Sequence, residues 1–261
     1  SLRDLRADAV AGVTVGIVAL PLSLALAIAS GVPPQHGLYT AIVGGSVAAL
    51  MGGSKFQVTG PTAAFVVILG PIVHRYGLAG LLTSGLLAGI ILTIMGLARL
   101  GRFVEFIPHP VTTGFTAGIA TVIGILQLKD ALGLRVADMP ERFLEKVAAL
   151  WDARGTASLA EATVAAATLV LLVLLPRLLR RLPTPLVALA AIAVAVWFLD
   201  VPVATLGSRF HTMVDGREFA GIPSLPPLPR LPWGTGAPTF ELIQQLLPSA
   251  FAIAMLGAIE S

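Results

Sequence analysis

Long apolar stretches separated by short polar connections dominate the pattern of this chain. A helix that spans a membrane needs about 20 mostly apolar residues at a rise of about 1.5 Å each. By that criterion the sequence predicts seven or eight spans in an all-α polytopic membrane protein. The spans of ordinary length lie at residues 9–30, 36–52, 78–100, 110–128, 159–175 and 185–199, and a last one begins after Pro248 and is still running at Ser261.

The third apolar segment, between Gly60 and His74, is shorter than the others. Its roughly 13 residues cover about 20 Å as a helix, against a hydrocarbon core of about 30 Å. Residues 55–59 before it alternate polar and apolar positions, which is typical of an extended strand. A half-length helix is tolerated at membrane depth only where protein or a water-filled cavity covers it. Such interrupted segments indicate the binding site of a transporter.

The distribution of Lys and Arg predicts the orientation of the spans. With a cytoplasmic N-terminus, the inside connections hold about eight basic and three acidic residues. The two long outside connections, residues 129–157 and 200–238, are near neutral. This asymmetry follows the positive-inside rule, and it requires the extended lead-in to complete the short third span. We therefore expect a multi-pass protein of the cell inner (plasma) membrane with its N-terminus inside.

Two stretches near the end of the second long connection carry their own signals. Residues 224–232 (SLPPLPRLP) predict a stiff extended strap, with a ligand for an SH3-type domain as the alternative. Residues 240–247 (FELIQQLL) predict an amphipathic interfacial helix, which Pro248 separates from the last span.

Composition and charge agree with a membrane protein. Of the 261 residues, 56% are hydrophobic and only 12% are charged, whereas an ordinary soluble domain carries about 25% charged residues. No cysteine occurs, so the chain offers neither disulfides nor thiolate metal ligands. The pI is near 9.8, but the net charge is only +3 and the basic residues are scattered, so we expect no nucleic-acid partner. The first apolar stretch is too long for a signal peptide.

The stretch from Thr59 to Ala63 predicts an anion site. Pro61 suits the first position of a helix, where its missing N–H costs nothing. The first free N–H groups then point out of the N-terminus with the positive end of the helix dipole. The hydroxyls of Thr59 and Thr62 can donate hydrogen bonds at the same place, which would bind an anion without a basic side chain. The alternative is that Thr and Gly60-Pro61 only cap and kink a buried helix.

The middle of the first span contains a second candidate. Pro21 lies about 18 Å along this helix by helix rise, and a proline there removes a backbone hydrogen bond. Leu22, Ser23 and Leu26 beside it are candidates for the lining of a cavity. A simple packing kink is the alternative.

Glu260 is the one ionisable residue well inside an apolar span of this sequence. It follows Pro248 by about 18 Å of helix, which places it near the middle of the membrane. Carboxylates in such positions are costly and functional by default, and low-dielectric surroundings favour their protonated form. This suits a proton-coupling site, whereas oxygen ligands around the carboxylate would suit sodium. The alternative is a structural partner of a basic residue on another helix.

An enzyme is not expected. The sequence contains no nucleophile motif, P-loop or HExxH. The four histidines lie at loops or segment ends without metal-ligand spacing. We expect no metal site and no cofactor.

At this point the chain resembles the SLC26/SulP family of anion transporters. The resemblance covers almost the whole chain, and its PxxGLYT and GPTA elements are the most specific. The residues that carry it are 4–12 (DLRADAVAG), Pro21, 31–40 (GVPPQHGLYT), Gly53-Ser54, 60–63 (GPTA), 114–118 (GFTAG) and 257–261 (GAIES).

The resemblance implies a UraA-like fold of fourteen segments in two inverted repeats of seven, with facing half-helices at segments three and ten. Residues 1–239 would form the first repeat, and residues 240–261 the interfacial helix and the start of segment eight. The second repeat and the family's cytoplasmic STAS domain would lie outside this chain. The resemblance places Leu22, Leu26 and Thr62 at substrate-lining positions.

The resemblance also places Glu260 at a position that ligates a cation in sodium-coupled bicarbonate members, where Asp is typical. It implies a secondary active transporter of small anions (carboxylate or dicarboxylate, bicarbonate or sulfate). Alternating access is the expected mechanism, with proton symport and a homodimer. A sodium-coupled symporter, an anion exchanger or channel on the same fold, and a nucleobase exchanger of a related family are the alternatives.

Overall fold

The computed structural model describes residues 2–52, 59–60, 62–101, 108–137, 139–140, 142–179, 183–214, 217–223, 226, 231, 233 and 238–260. Nine α-helices and one hairpin are present in this part of the chain. The elements in chain order are α1 (Leu2–Ala29), α2 (Pro34–Met51), a 3-10 turn (Ala63–Phe65), α3 (Val66–Leu97), α4 (His109–Ala131), α5 (Phe143–Asp152), a 3-10 helix (Ala153–Thr156), α6 (Leu159–Leu178), α7 (Thr184–Phe198), α8 (Leu206–Arg209), β1 (His211–Val214), β2 (Arg217–Ala220) and α9 (Phe240–Glu260).

Each predicted apolar segment has its helix, with ends that differ by a few residues from the prediction. Within the described residues, five stretches are long and apolar enough to cross a membrane, and α7 is a shorter apolar helix. Most of their side chains are exposed in the isolated chain, as expected for surfaces that face lipid. The five stretches are Asp4–Ala29, Ala63–Leu97, His109–Ala131, Leu159–Leu178 and Phe240–Glu260.

The chain divides into two compact units. The first contains most of α1, all of α2 and the elements from the end of α4 to β2. The second contains α3, most of α4 and α9. Their residues are Ser1–Ala25, Pro34–Gly60 and Gly124–Ser224 for the first unit, and Leu26–Pro33, Pro61–Ile123 and Leu225–Ser261 for the second.

Gly77 divides α3 into two arms, residues 66–76 and 78–97. Its φ of 66° and ψ of −170° are not helical, and this region of backbone conformation is open essentially to glycine alone. A β-carbon at Gly257 of α9 would lie 3.7 Å from Phe65 Cζ and 3.6 Å from Leu92 Cδ1. A straight helix would separate residues 65 and 92 by about 40 Å. The two arms therefore fold back on each other at Gly77, as the predicted break between the third and fourth segments requires.

Helix α9 packs along both arms of α3. Near the turn, a β-carbon at Gly80 would lie 3.9 Å from Leu246 Cδ2, and at the other end Gly257 meets Phe65 and Leu92. Helix α9 thus runs antiparallel to the first arm and parallel to the second. Small and branched side chains fill the contact, which forms the core of the second unit: Ile72, Ala88, Ala250, Ile253 and Ala254.

In the first unit, a backbone hydrogen bond holds the residues just after α4 next to the residue just before α6. The Ser158 amide donates to the Leu132 carbonyl at 2.9 Å. The Ser158 hydroxyl also caps α6, accepting from the Glu161 amide at 3.4 Å. Gly133 has a φ of 64°, and a β-carbon there would lie 2.7 Å from Glu161 Oε2. Glycine at this position therefore allows the close approach of α6.

The hairpin of β1 and β2 lies near the first turn of α2. Its antiparallel register pairs His211 with Ala220 and Val214 with Arg217. The Gln35 Nε2 atom of α2 donates to Thr212 Oγ1 at 3.1 Å. This bond is buried at the α2 end, because the Gln35 side chain is almost fully covered.

The long connections contain elements that the sequence analysis did not address. Helix α5 and the 3-10 helix lie within residues 129–157, and α8 with the hairpin lies within 200–238. Helix α5 has only 10 residues, so its amphipathic pattern is too short to be recognised in the sequence between two long apolar spans. Helix α9 also continues through Pro248, so the predicted break there is wrong. Of the predicted Pro-rich strap, only residues 226 and 231 are described, and the predicted strand at residues 55–58 lies outside the described residues.

Candidate functional site

Thr62 is the N-cap residue of the half-helix in the second unit. This residue has extended backbone angles, φ −116° and ψ 144°, and its side chain caps the 3-10 turn. The Thr62 hydroxyl accepts from the Ala64 amide at a long 3.5 Å, and the Thr62 carbonyl accepts from the Phe65 amide at 3.3 Å. Threonine is a favoured residue at such a cap because its oxygen satisfies an amide that the helix leaves free.

The first helical residue is Ala63, whereas we predicted that Pro61 occupies this position. Pro61 itself lies outside the described residues. Because the turn is 3-10, the Phe65 and Val66 amides already have backbone acceptors. The Ala63 and Ala64 amides have none among the described residues, and they mark the positive end of the helix dipole.

Four predicted site residues lie along α1 and at the entry to the half-helix. In the first unit, half of the Leu22 side chain is exposed, at 50%, and Thr59 and Gly60 are exposed. The Thr59 carbonyl oxygen lies 3.6 Å from the position of a β-carbon on Gly45. In the second unit, Leu26 is half-buried.

Helix α1 continues through Pro21. Two residues further on, Ser23 is fully buried. Its hydroxyl donates to the Ala19 carbonyl at 2.7 Å. This bond satisfies the serine within its own helix, so Ser23 offers no free donor to a cavity.

Glu260 is the last described residue of α9, and its side chain is exposed. Within the described residues it has no hydrogen bond or ion pair to a basic group. Gly257, three residues earlier, packs on Phe65 and Leu92. Since α9 runs antiparallel to the first arm of α3, the last turn of α9 extends past Phe65 toward Thr62.

The second unit therefore brings Thr62, Ala63 and Glu260 to the same end of the α3–α9 bundle. Within the described residues, the Ala63 amide at the helix start has no acceptor, the Ala64 amide bonds to the Thr62 hydroxyl, and the Glu260 carboxylate has no basic partner. An anion suits the first group because aligned amides and the dipole favour negative charge. A proton or a cation suits the second.

Two residues that join these groups were not predicted. Phe65 and Gly257 connect the start of the half-helix to the end of α9 through van der Waals contact. Nothing in their local pattern distinguishes them from other core positions. Only the pairing of α9 with α3, which are far apart in sequence, reveals their place.

Comparison with known proteins places this helical bundle in a class of membrane transport proteins. The model of the sulfate permease family matches residues 5–261. The chain belongs to this family, which confirms the resemblance seen in the sequence.

Individual relatives agree with this assignment. A protein of Bacillus subtilis (strain 168) named as a proposed sulfate transporter, YvdB, is 39% identical over 262 residues, covering 100% of this chain and 47% of its own length. The bicarbonate transporter BicA of Picosynechococcus is 28% identical over 271 residues, covering 99% of this chain and 45% of its own. The sodium-independent sulfate anion transporter of Bos taurus is 36% identical over 172 residues, covering 66% of this chain and 28% of its own length.

A solved structure confirms the predicted fold class. The transmembrane domain of the cyanobacterial bicarbonate transporter BicA matches with a TM-score of 0.81 at 28% identity, covering 100% of this chain and 64% of that one. The predicted UraA-like arrangement, with a half-helix at the third segment, is therefore correct. The chain spans about half the length of YvdB and BicA and 28% of the Bos taurus protein. These relatives are named as transporters, not as enzymes.

Proposed function

We propose that the chain forms the first half of the membrane domain of a secondary active transporter for small anions. Carboxylates or dicarboxylates, bicarbonate and sulfate are the proposed substrates, and alternating access is the proposed mechanism. One observation carries the proposal: the start of the half-helix, where the Ala63 amide has no acceptor among the described residues, lies at the same end of the α3–α9 bundle as the Glu260 carboxylate. The names of the relatives, which are sulfate and bicarbonate transporters, support the same substrate class.

The proposed anion site centres on the cap of the half-helix. The Ala63 amide has no acceptor among the described residues, and the Thr62 hydroxyl can donate its own proton while its oxygen accepts from the Ala64 amide. A bound anion would thus meet one amide and one hydroxyl. We also propose five further substrate-binding residues, on the grounds of the family resemblance: Leu22, Leu26, Thr59, Gly60 and Pro61.

The proposed coupling ion is the proton, with Glu260 as its carrier. Sodium needs several fixed oxygen ligands, and no other carboxylate lies on the described part of the last two turns of α9. Ser261, the neighbouring hydroxyl, lies outside the described residues. A carboxylate that loads a proton needs no such set of ligands.

The organisation of the whole protein is proposed along the lines that the resemblance implies. Residues 1–239 form the first inverted repeat, and residues 240–261 open the second. A second repeat, a cytoplasmic STAS domain and a homodimer complete the protein. We place it in the cell inner (plasma) membrane with its N-terminus in the cytoplasm, because the inside connections carry the excess of Lys and Arg.

Uptake into proteoliposomes tests the proposal directly. The complete protein is reconstituted, and uptake of labelled sulfate, bicarbonate and a dicarboxylate is measured with proton and sodium gradients imposed separately. We expect an inward proton gradient to drive accumulation of at least one of these anions. Accumulation driven only by a sodium gradient would show that sodium, and not the proton, is the coupling ion. The absence of any gradient-driven uptake would contradict the proposal of a secondary transporter.

A further inference from the structure

Helix α5 has an apolar face that the chain itself covers only at one edge. At roughly 100° per residue, Leu144, Val147 and Trp151 project within an arc of about 60°. Leu144 is 78% and Trp151 is 68% exposed, whereas Leu150, at the edge of the same face, is only 7% exposed. The helix therefore packs on the first unit through Leu150 and leaves a stripe of Leu144, Val147 and Trp151 uncovered by the described residues.

The level of α5 relative to the membrane follows from its neighbours. Span α4 ends at Ala131 and span α6 begins at Leu159, and the Ser158–Leu132 hydrogen bond ties these two ends together. The boundary of the hydrocarbon region must pass near this bond. The Arg135 amide also donates to Thr156 Oγ1 at 2.9 Å, so the segment that leads out of α5 stays at the same level.

The distance from this boundary to α5 is short. Only the 3-10 helix Ala153–Thr156 separates α5 from the Thr156 contact, and a 3-10 helix rises about 2 Å per residue. The end of α5 therefore lies within about 8 Å of the boundary. The polar layer on each side of a bilayer is roughly 5–7 Å thick, because the whole bilayer measures about 40–45 Å and its core about 30 Å.

A cation is already held beside the stripe. The Arg154 guanidinium lies over the Trp151 ring, with its Cζ 4.9 Å from the ring centroid. Its Nη1 donates to the Trp151 carbonyl at 2.9 Å. This bond uses one of the five N–H donors of the guanidinium. The others remain available for oxygen acceptors, since Arg154 has no ion pair among the described residues.

We propose that α5 lies in the headgroup layer of the bilayer, with the stripe of Leu144, Val147 and Trp151 against phospholipid and Arg154 on lipid phosphate. The sequence of the helix suits this position, because Trp is enriched at membrane interfaces and an interfacial helix has an apolar face beside charged residues. The polar side of α5 carries Arg142 and Glu145, paired at 3.7 Å in the water layer. The inference is independent of the transported anion and of the coupling ion.

A protein partner would be a different occupant of the same stripe. The charge beside the stripe favours lipid. The Arg154 guanidinium is already held against the Trp151 ring near the membrane boundary, so it can bind a lipid phosphate without a change in the conformation of the chain. In the proposed orientation this leaflet is the outer one.

Spin labels distinguish the occupants. In a cysteine-free background of the complete protein in phospholipid nanodiscs, single labels are placed at 144 and 151 on the stripe and at 145 and 152 on the polar side. Collision with oxygen reports lipid, and collision with a water-soluble nickel complex reports water. We expect labels at 144 and 151 to collide more with oxygen and several-fold less with nickel than labels at 145 and 152.

Each other outcome contradicts the inference. Equal nickel collision at 144 and 145 would place the stripe in water, and protection from both reagents would place it against protein. Arg154→Gln tests the phosphate contact, because its loss should move the label at 144 toward the water. An unchanged depth in this variant would remove Arg154 from the contact. If the proteoliposome experiment fails while the labels behave as expected, the transport proposal alone is wrong.

Discussion

Thr62 contributes to the start of the half-helix and to the proposed anion site at once. Its oxygen caps the turn through the long bond to the Ala64 amide, and its O–H proton is available to a ligand. A substitution therefore has a structural effect and a binding effect, which must be separated. Loss of a helix cap costs about 1 kcal/mol of stability, whereas loss of a hydrogen bond to a charged ligand costs about 1.5–3 kcal/mol of binding.

Thr62→Val is expected to weaken anion affinity by roughly 10- to 100-fold, which corresponds to the lost hydrogen bond. Thr62→Ser keeps the hydroxyl and should restore most of the affinity. Binding of the transported anion to the purified complete protein measures both. Thr93→Val serves as a control, because the Thr93 hydroxyl bonds only to the Gly89 carbonyl in its own helix. Wild-type affinity in Thr62→Val would make Thr62 a capping residue alone.

Glu260→Gln is expected to abolish accumulation of the anion against its gradient while exchange of anion across the membrane continues. The amide keeps the shape of the side chain but can neither load nor release a proton. Uptake and exchange in proteoliposomes at several pH values measure the two activities. The matched control is Glu241→Gln in the first turn of the same helix, which is exposed. Accumulation with unchanged pH dependence in Glu260→Gln would assign the carboxylate a structural role.

At the scale of elements, the turn of α3 depends on a single glycine. The φ of 66° and ψ of −170° at Gly77 would strain any residue with a β-carbon, at a cost of about 1–3 kcal/mol. The space around Gly77 is open, with no atom within 4 Å of a β-carbon. The strain therefore comes from the backbone alone.

Gly77→Ala is expected to lower the free energy of unfolding by about 1–3 kcal/mol. Gly85→Ala is the matched control, since Gly85 lies on the second arm with helical angles and equally open space. Alanine there should be neutral or slightly stabilising, because it favours the helix over glycine. Denaturant unfolding of the detergent-solubilised protein compares the two. Equal stability of both variants would show that the turn does not require glycine.

The sequence predicts the apolar elements better than the connections for a physical reason. A span is imposed by the thickness of the membrane, so its length and composition are visible in a single window of residues. The half-helix was visible because 13 apolar residues are too few to cross. The start at Ala63 instead of Pro61 was not visible, because the choice between an α turn and a 3-10 turn depends on what the amides of Phe65 and Val66 bond to.

The same contrast holds for the site. Thr62 and Glu260 are proposed from their chemistry, as a hydroxyl at a helix start and a carboxylate in an apolar span. Phe65 and Gly257 were missed because their importance lies in one contact between residues far apart in the chain. The exposed stripe of helix α5 was missed because the sequence shows all its apolar residues alike. Only the structure shows that Leu150 is covered while Leu144 and Trp151 are exposed.

At the scale of the whole molecule, the orientation in the membrane is the property most directly tested. With the N-terminus inside, position 145 on α5 faces the outside and position 55 faces the cytoplasm. The chain contains no cysteine, so single cysteines at Lys55 and Glu145 can be introduced without removing others from this part of the protein.

An impermeant thiol reagent applied to intact, right-side-out cells is expected to label a cysteine at 145 and not one at 55. The physical reason is the excess of Lys and Arg in the short connections, which retains them in the cytoplasm. Labelling of both positions after the membrane is made permeable is the control for reactivity. The reverse pattern in intact cells would invert the proposed orientation.

The packing of α9 between the arms of α3 has a consequence for biosynthesis. Helix α9 begins 143 residues after α3 ends, as 240 − 97 = 143. At a synthesis rate of about 5–20 residues per second, the arms wait for about 7–30 s before their partner emerges. During this time the first arm is too short to cross the bilayer alone, and Ala88, which is buried against Ala250 and Ala254 of α9 in the finished bundle, has no α9 to cover it. The insertion machinery must therefore shelter the two arms of α3 until α9 emerges.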